Sequence, residues 1–110
     1  MLRKKERLNR EAFNRFFSAG TRSHSQSFGL VYVPHPTFHA SVVVPKKIVQ
    51  KAVARNKLRR RIYDILRNFK QKDGPTGVYI VMVKPKAATS SYDELKTEIE
   101  GLVGRTMKSR

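Results

Sequence analysis

The segment Lys51-Ala-Val-Ala-Arg-Asn-Lys-Leu-Arg-Arg-Arg-Ile-Tyr63 lies between two apolar runs, His39-Ala-Ser-Val-Val-Val44 and Val78-Tyr-Ile-Val-Met-Val83. The runs are short, rich in β-branched residues and bounded by prolines and glycines, so they read as strands. The segment between them predicts a helix from about Val49 to Phe69, ending before the breaker run Asp73-Gly-Pro-Thr-Gly77. Strand, helix, strand is a βαβ crossover if the two strands pair in parallel. Periodicity leaves that pairing and its hand open.

Outward from this unit the elements follow in order. Asn9 suits the N-cap of a helix through Ser18, with Glu11 in its first turn and Gly20 just past its end. Residues 21–27 are polar and fit a loop or a short edge strand. Phe28 to Val33 reads as a strand stopped by Pro34-His-Pro36, and Pro45 closes the strand ending at Val44. Ser91-Tyr-Asp-Glu94 matches a capping box that opens a helix to about Val103. The fold class is therefore α+β, one sheet with helices packed on it as a sandwich. At 110 residues, without repeats or linkers, residues 1–110 form one domain. Residues 1–4 and 105–110 are expected to be flexible ends.

Charge narrows the function. The chain carries 24 Lys and Arg against 8 acids, a formal net charge of +16. Between Lys46 and Lys72 stand eleven of those cations with a single acid, Asp64, a local net charge of +10. Self-repulsion of that density destabilises a compact chain unless a polyanion neutralises it, and nucleic acid is the obvious one. At about 100° per residue Leu58, Ile62, Ile65 and Phe69 share one stripe, while Asn56, Arg59, Arg60, Tyr63 and Arg67 share an opposite arc. Arginine's planar fork suits bidentate phosphate contact and base stacking, which fits structured RNA. A second candidate surface is aromatic. Phe13 and Phe17 lie one turn apart, Tyr32 lies on a strand, and Arg3, Lys4 and Arg15 flank them. Each phenylalanine alone reads as core; together they can line a groove for unpaired bases.

Other chemistries lack their residues. Absence of cysteine removes disulfides, thiolate catalysis and cysteine-based zinc sites. The eight acids are dispersed, and His24, His35 and His39 sit near turns and read as surface histidines. No catalytic residue, metal site or cofactor is assigned to the chain. The start has charges but no apolar run, no window approaches the ~20 apolar residues of a membrane span, and the expected location is the cytoplasm.

Lys46-Lys47 followed by Lys51-Ala-Val-Ala-Arg-Asn-Lys-Leu-Arg-Arg60 resembles the basic signature of the protein subunit of bacterial ribonuclease P. The resemblance extends through Glu11-Ala-Phe13, Phe17, Gly20 and Tyr32 to the last helix, over roughly residues 2 to 104. The chain departs from the signature at Val44-Pro45, at Val49-Gln50, where the loop is one residue longer and could form a helical turn, and at Tyr63, where arginine is frequent. The resemblance implies a mixed sheet with a left-handed βαβ crossover, like a domain of a small-subunit ribosomal protein. It further implies a subunit that binds the catalytic RNA and the 5′ leader of precursor tRNA and promotes leader removal, the hydrolysis belonging to the RNA. Magnesium is implied for the holoenzyme, and neither a membrane nor an obligate protein partner is. By position, Lys46, Lys47, Lys51, Arg55, Asn56, Lys57, Arg59 and Arg60 would face the catalytic RNA. Phe13, Phe17, Tyr32, Arg59 and Tyr63 would face the leader. The alternative from the residues is a non-enzymatic module for structured RNA, such as a ribosome-associated protein. A polybasic membrane-docking module is disfavoured because no basic amphipathic face has an apolar boundary.

Overall fold

Six consecutive apolar residues, Val78–Val83, demand cover on both faces of their strand, and the fold provides it by placing that strand inside the sheet. The computed structural model describes the backbone of residues 8–73 and 76–108, with their side chains apart from those of 69–73 and 105–108. The elements are α1 (Arg10–Ala19), β1 (Thr21–His24), β2 (Phe28–Val33), β3 (Phe38–Val43), α2 (Ala52–Asp73), β4 (Gly77–Val83), a 3₁₀ helix (Pro85–Thr89) and α3 (Tyr92–Lys108). Strand order is β1-β2-β4-β3. β4 pairs antiparallel with β2, Phe28 opposite Val83 and Val33 opposite Val78, and parallel with β3, Phe38 opposite Gly77. The sheet is therefore mixed, and β3-α2-β4 is the crossover unit expected from the sequence.

Strand alternation sorts the side chains into two layers. Phe28, Leu30 and Tyr32 point with Tyr79 and Val81 into the main core, which α2 closes with Leu58, Ile62 and Ile65 and α3 closes with Leu95 and Ile99. Val31, Val78 and Ile80 point the other way, where Leu8, Phe13, Phe16 and Phe17 cover them from α1 and its approach. The layers are α2 and α3, then the sheet, then α1.

Local signals account for the ends of the helices. The Asn9 side chain accepts the Ala12 N–H at 2.8 Å. At the far end the Gly20 N–H donates to the Phe16 carbonyl at 3.0 Å. Gly20 is needed for proximity, since a Cβ there would lie 2.2 Å from Val31 Cγ1. The capping box is made reciprocally: the Ser91 N–H donates to Glu94 Oε1 at 2.8 Å and the Glu94 N–H donates to Ser91 Oγ at 3.2 Å. The amide's hydrogen bond to the ionised form holds the Glu94 carboxyl below its usual range, and the Ser91 hydroxyl adds to the effect.

The elements depart from expectation mainly around α2 and α3. α2 starts at Ala52 rather than Val49, because Pro45 opens a separate turn whose carbonyl accepts the N–H groups of Ile48 at 3.0 Å and Val49 at 3.1 Å. It continues to Asp73, beyond Phe69, whose side chain lies outside the described residues. α3 runs to Lys108, past Val103 and into the stretch expected to be a flexible end; residues 1–4, 109 and 110 lie outside the described residues. The 3₁₀ helix at Pro85–Thr89 had no periodic signal and buries Ala87. Between β1 and β2 the chain is fastened to α3, where a Glu98 carboxylate oxygen accepts from the Ser25 hydroxyl at 2.5 Å and the Ser27 N–H at 2.6 Å. Among the described residues no helix is long and apolar enough to cross a membrane.

Candidate nucleic-acid interface

Burial divides α2 more unevenly than a single stripe suggests. Leu58, Ile62, Ile65 and Leu66 are buried, and Tyr63 joins them with only 5% of its surface exposed. The buried sector spans roughly 160° at 100° per residue, because the helix contacts both β3 and α3. Arg60 and Arg67 are exposed with Asn56 and Lys57, and Lys46, Lys47 and Lys51 are exposed on the approach, so these cations form one solvent-facing surface. Arg59 is half-buried at its edge and donates to Asn56 Oδ1 at 2.7 Å, fixing that amide's acceptor and leaving its NH₂ outward-capable. Val53 stands among the cations with 79% of its surface exposed.

Arg55 is half-buried and has partners within the chain. Its Nη1 donates to the carbonyls of Val49 at 3.1 Å and Gln50 at 2.7 Å. The guanidinium thus ties the loop at Val49 and Gln50 to the first turn of α2. Nothing in the sequence marks those carbonyls as its partners.

Tyr63, expected on the polar arc, is corrected to the core: its hydroxyl accepts the Val42 N–H at 3.2 Å in a buried contact. The phenol satisfies a donor on the outer edge of β3, where no further strand pairs among the described residues. Tyr32 requires the same correction. It is 3% exposed, packs against Tyr79 with ring centroids 5.1 Å apart, and belongs to the layer opposite α1. Its neighbours Val31 and Val33 are the residues that face Phe13 and Phe17. A strand alternates every residue, so an offset of one moves a side chain to the other face. Neither ring presents a face to an incoming base.

Phe13 and Phe17 do. Both are half-buried on the Val31, Val78 and Ile80 layer and stack on each other with centroids 5.5 Å apart and planes 18° from parallel. Arg22, on edge strand β1, lies over the Phe17 ring at 4.4 Å and donates to the Phe17 carbonyl at 3.3 Å. This cation was missed in the sequence, where only its place two residues past Gly20 marks it. The aromatic pair and the basic helix lie on opposite faces of the sheet.

Among the described residues no three histidines or acids gather into a set able to hold a metal ion.

The family model for ribonuclease P matches residues 2–107, nearly the whole chain. The chain belongs to the ribonuclease P protein family. A ribonuclease P protein component from Thermus brockianus is 34% identical over 80 residues, 73% of this chain, and the chain spans about half (47%) of that relative. In three dimensions the ribonuclease P protein of Staphylococcus aureus matches with a TM-score of 0.82 at 20% identity, covering 92% of this chain and 94% of that one. The protein of Thermotoga maritima matches at 0.74 and 24% identity, covering 87% and 93%. These two share the mixed sheet packed by helices. The ribonuclease P signature from Lys46 to Arg60 thus falls on the Pro45 turn and the first turns of α2.

Proposed function

We propose that the chain acts as the protein subunit of ribonuclease P and promotes endonucleolytic removal of the 5′ leader from precursor tRNA. The observation that carries the reading is the cation surface of α2 and its approach, with Lys46, Lys47, Lys51, Asn56, Lys57 and Arg60 all exposed on an element whose other side is locked into the core. That surface docks on the catalytic RNA through phosphates, Arg59 contributing from its edge. Arg55 acts on the same contact indirectly by holding the loop. Phe13 and Phe17, with Arg22 alongside, supply stacking area for unpaired leader bases. Hydrolysis belongs to the partner RNA, and the chain contributes affinity and positioning. A subunit neutralising about six phosphates loses roughly 10³-fold in affinity between 50 and 200 mM salt.

The test mixes the purified protein with a bacterial ribonuclease P RNA at low magnesium and follows cleavage of a precursor tRNA, each component alone serving as control. Cleavage that appears only with both supports the subunit reading. An RNA unaffected by saturating protein overturns it in favour of a binding module for some other structured RNA.

A further inference from the structure

An edge strand needs something to hold its register, and β1 has little of its own. Its sequence is Thr-Arg-Ser-His, none of the four residues is buried, and among the described residues it pairs with β2 alone. A strand that is polar on both faces specifies its register weakly, and a slip of one residue turns every side chain to the other face. The observed register sets Arg22 opposite Val31, on the α1 face, and Ser23 opposite Leu30, on the face that α3 covers. Only in that register does Arg22 stand over the Phe17 ring, 4.4 Å from its centroid.

The turn that joins β1 to β2, residues 25–27, is clamped from outside. From α3, a single Glu98 oxygen, Oε2, accepts the Ser25 hydroxyl at 2.5 Å and the Ser27 N–H at 2.6 Å, short bonds of the charge-assisted kind. Ser27 is 1% exposed, so water is no ready substitute for that carboxylate. From the end of β4, Lys84 takes the acceptors of the same turn: its N–H donates to the Ser27 carbonyl at 2.8 Å and its Nζ to the Ser25 carbonyl at 2.9 Å. Lys84 ties the turn to the sheet, and Glu98 ties it to the helix that contacts β1 from the side away from Arg22. Arg22 is three residues from Ser25, about 10 Å of extended chain, so the clamp fixes where its side chain emerges.

We propose that Glu98 is a positioning residue for the leader surface: by pinning the turn at Ser25 and Ser27 it fixes the register of β1 and so holds Arg22 over Phe17. The inference rests on the assignment of that surface to the leader and adds to it a residue that touches no RNA. Glu98 acts through the sheet, from the α3 layer to the α1 layer. Without it, a slip of one residue would carry Arg22 to the α3 face and leave the Phe17 ring without its cation.

The test pairs Glu98→Ala with Glu98→Gln, because both donors meet one oxygen and a carboxamide oxygen can accept the same two. In the free chain, NMR follows the Arg22 side-chain signals, which the Phe17 ring current shifts. The expected result is loss of that shift in Glu98→Ala and its retention in Glu98→Gln, with the Ile62 and Val81 core signals unmoved in both. In the complex with ribonuclease P RNA, Glu98→Ala should lose about fivefold in preference for precursor over mature tRNA, the scale of one well-placed cation against a ring. Arg22→Ala should lose as much, and the double variant no more than either, since the two losses are one. A ring-current shift that persists in Glu98→Ala overturns the proposal. So do an Arg22→Ala chain with full precursor preference, losses that multiply to about twenty-five-fold in the double variant, or a Gln variant as impaired as Ala. If Glu98→Ala does not fold, Glu98→Asp, whose oxygens are drawn back by one methylene, is read in its place. A chain that fails to assemble with the RNA counts against the subunit reading, whereas the Arg22 signals of the free chain report on Glu98 by themselves.

Discussion

Replacing Tyr63 by Phe removes one oxygen and tests whether this residue serves the fold or the RNA. The ring stays, so the packing of α2 on β3 is retained and no cavity larger than that oxygen opens. What is lost is the acceptor of the Val42 N–H, at 3.2 Å, in a contact where Tyr63 and Val42 are 5% and 6% exposed. A buried donor left without a partner costs about 1–3 kcal/mol, and this bond lies at the long end of the N–H···O range, so the lower part applies, about 1–2 kcal/mol. For a domain of this size that lowers Tm by roughly 4–8 °C. Urea unfolding should show a lower midpoint with an unchanged slope, because the surface exposed on unfolding is the same. Discrimination between precursor and mature tRNA, measured alongside, should not move. An unchanged midpoint together with selective loss of precursor binding would refute the placement, for the hydroxyl would then be facing RNA.

Four further outcomes follow from the same geometry. Gly77→Ala should destabilise by about 2 kcal/mol or more, since Gly77 has φ +111° and a Cβ there would lie 2.6 Å from the Tyr32 ring; denaturant titration reads it. Arg59→Ala/Arg60→Ala should weaken association with the catalytic RNA and lower the salt slope of binding by about two, measured from 50 to 200 mM salt. Phe17→Ala should weaken binding of precursor relative to mature tRNA by about 1–3 kcal/mol, and equal losses for both would remove the leader surface. Glu94 has its carboxyl pKa depressed in the folded state by the Ser91 amide, so its stabilising effect is present above the ordinary value of 4.5 and is lost as pH falls through the lower folded value. Glu94→Gln keeps the reciprocal hydrogen bonds and should flatten that part of the acid unfolding profile.

What could be read from the sequence was what neighbours in the chain decide. The Asn9 cap, the Ser91–Glu94 box and the apolar strand at Val78–Val83 all rest on local spacing, and each stands where it was expected. The cation surface was legible for the same reason, since exposure of a long basic run on a helix needs no partner to be known. Contacts between distant segments were not legible. Tyr63 looked polar-facing because a stripe drawn through Leu58, Ile62 and Ile65 assumes one neighbour, whereas α2 meets both β3 and α3. Tyr32 was placed by its position beside other strand residues, and the face it occupies depends on which residue of β2 meets β4. Arg55 gave no sign of its partners within the chain, because the Val49 and Gln50 carbonyls that its Nη1 meets are brought there by the fold. His35 and His39 read as separate surface residues until Thr37 joined them.

β4 is the last strand in the chain and an interior strand of the sheet. Its neighbours β2 and β3 are synthesised earlier and do not pair with each other. Their facing edges stay open until Gly77–Val83 arrives, and joining Val33 to Val78 closes a long loop whose entropy is lost before the pairing is gained. Folding is therefore committed late on the ribosome and proceeds more slowly than for a bundle of local contacts. A chain halted before β4 carries the cation-rich segment and two unpaired strand edges without a surface for α2 to pack on, a species suited to clumping with nucleic acid instead of assembling on it.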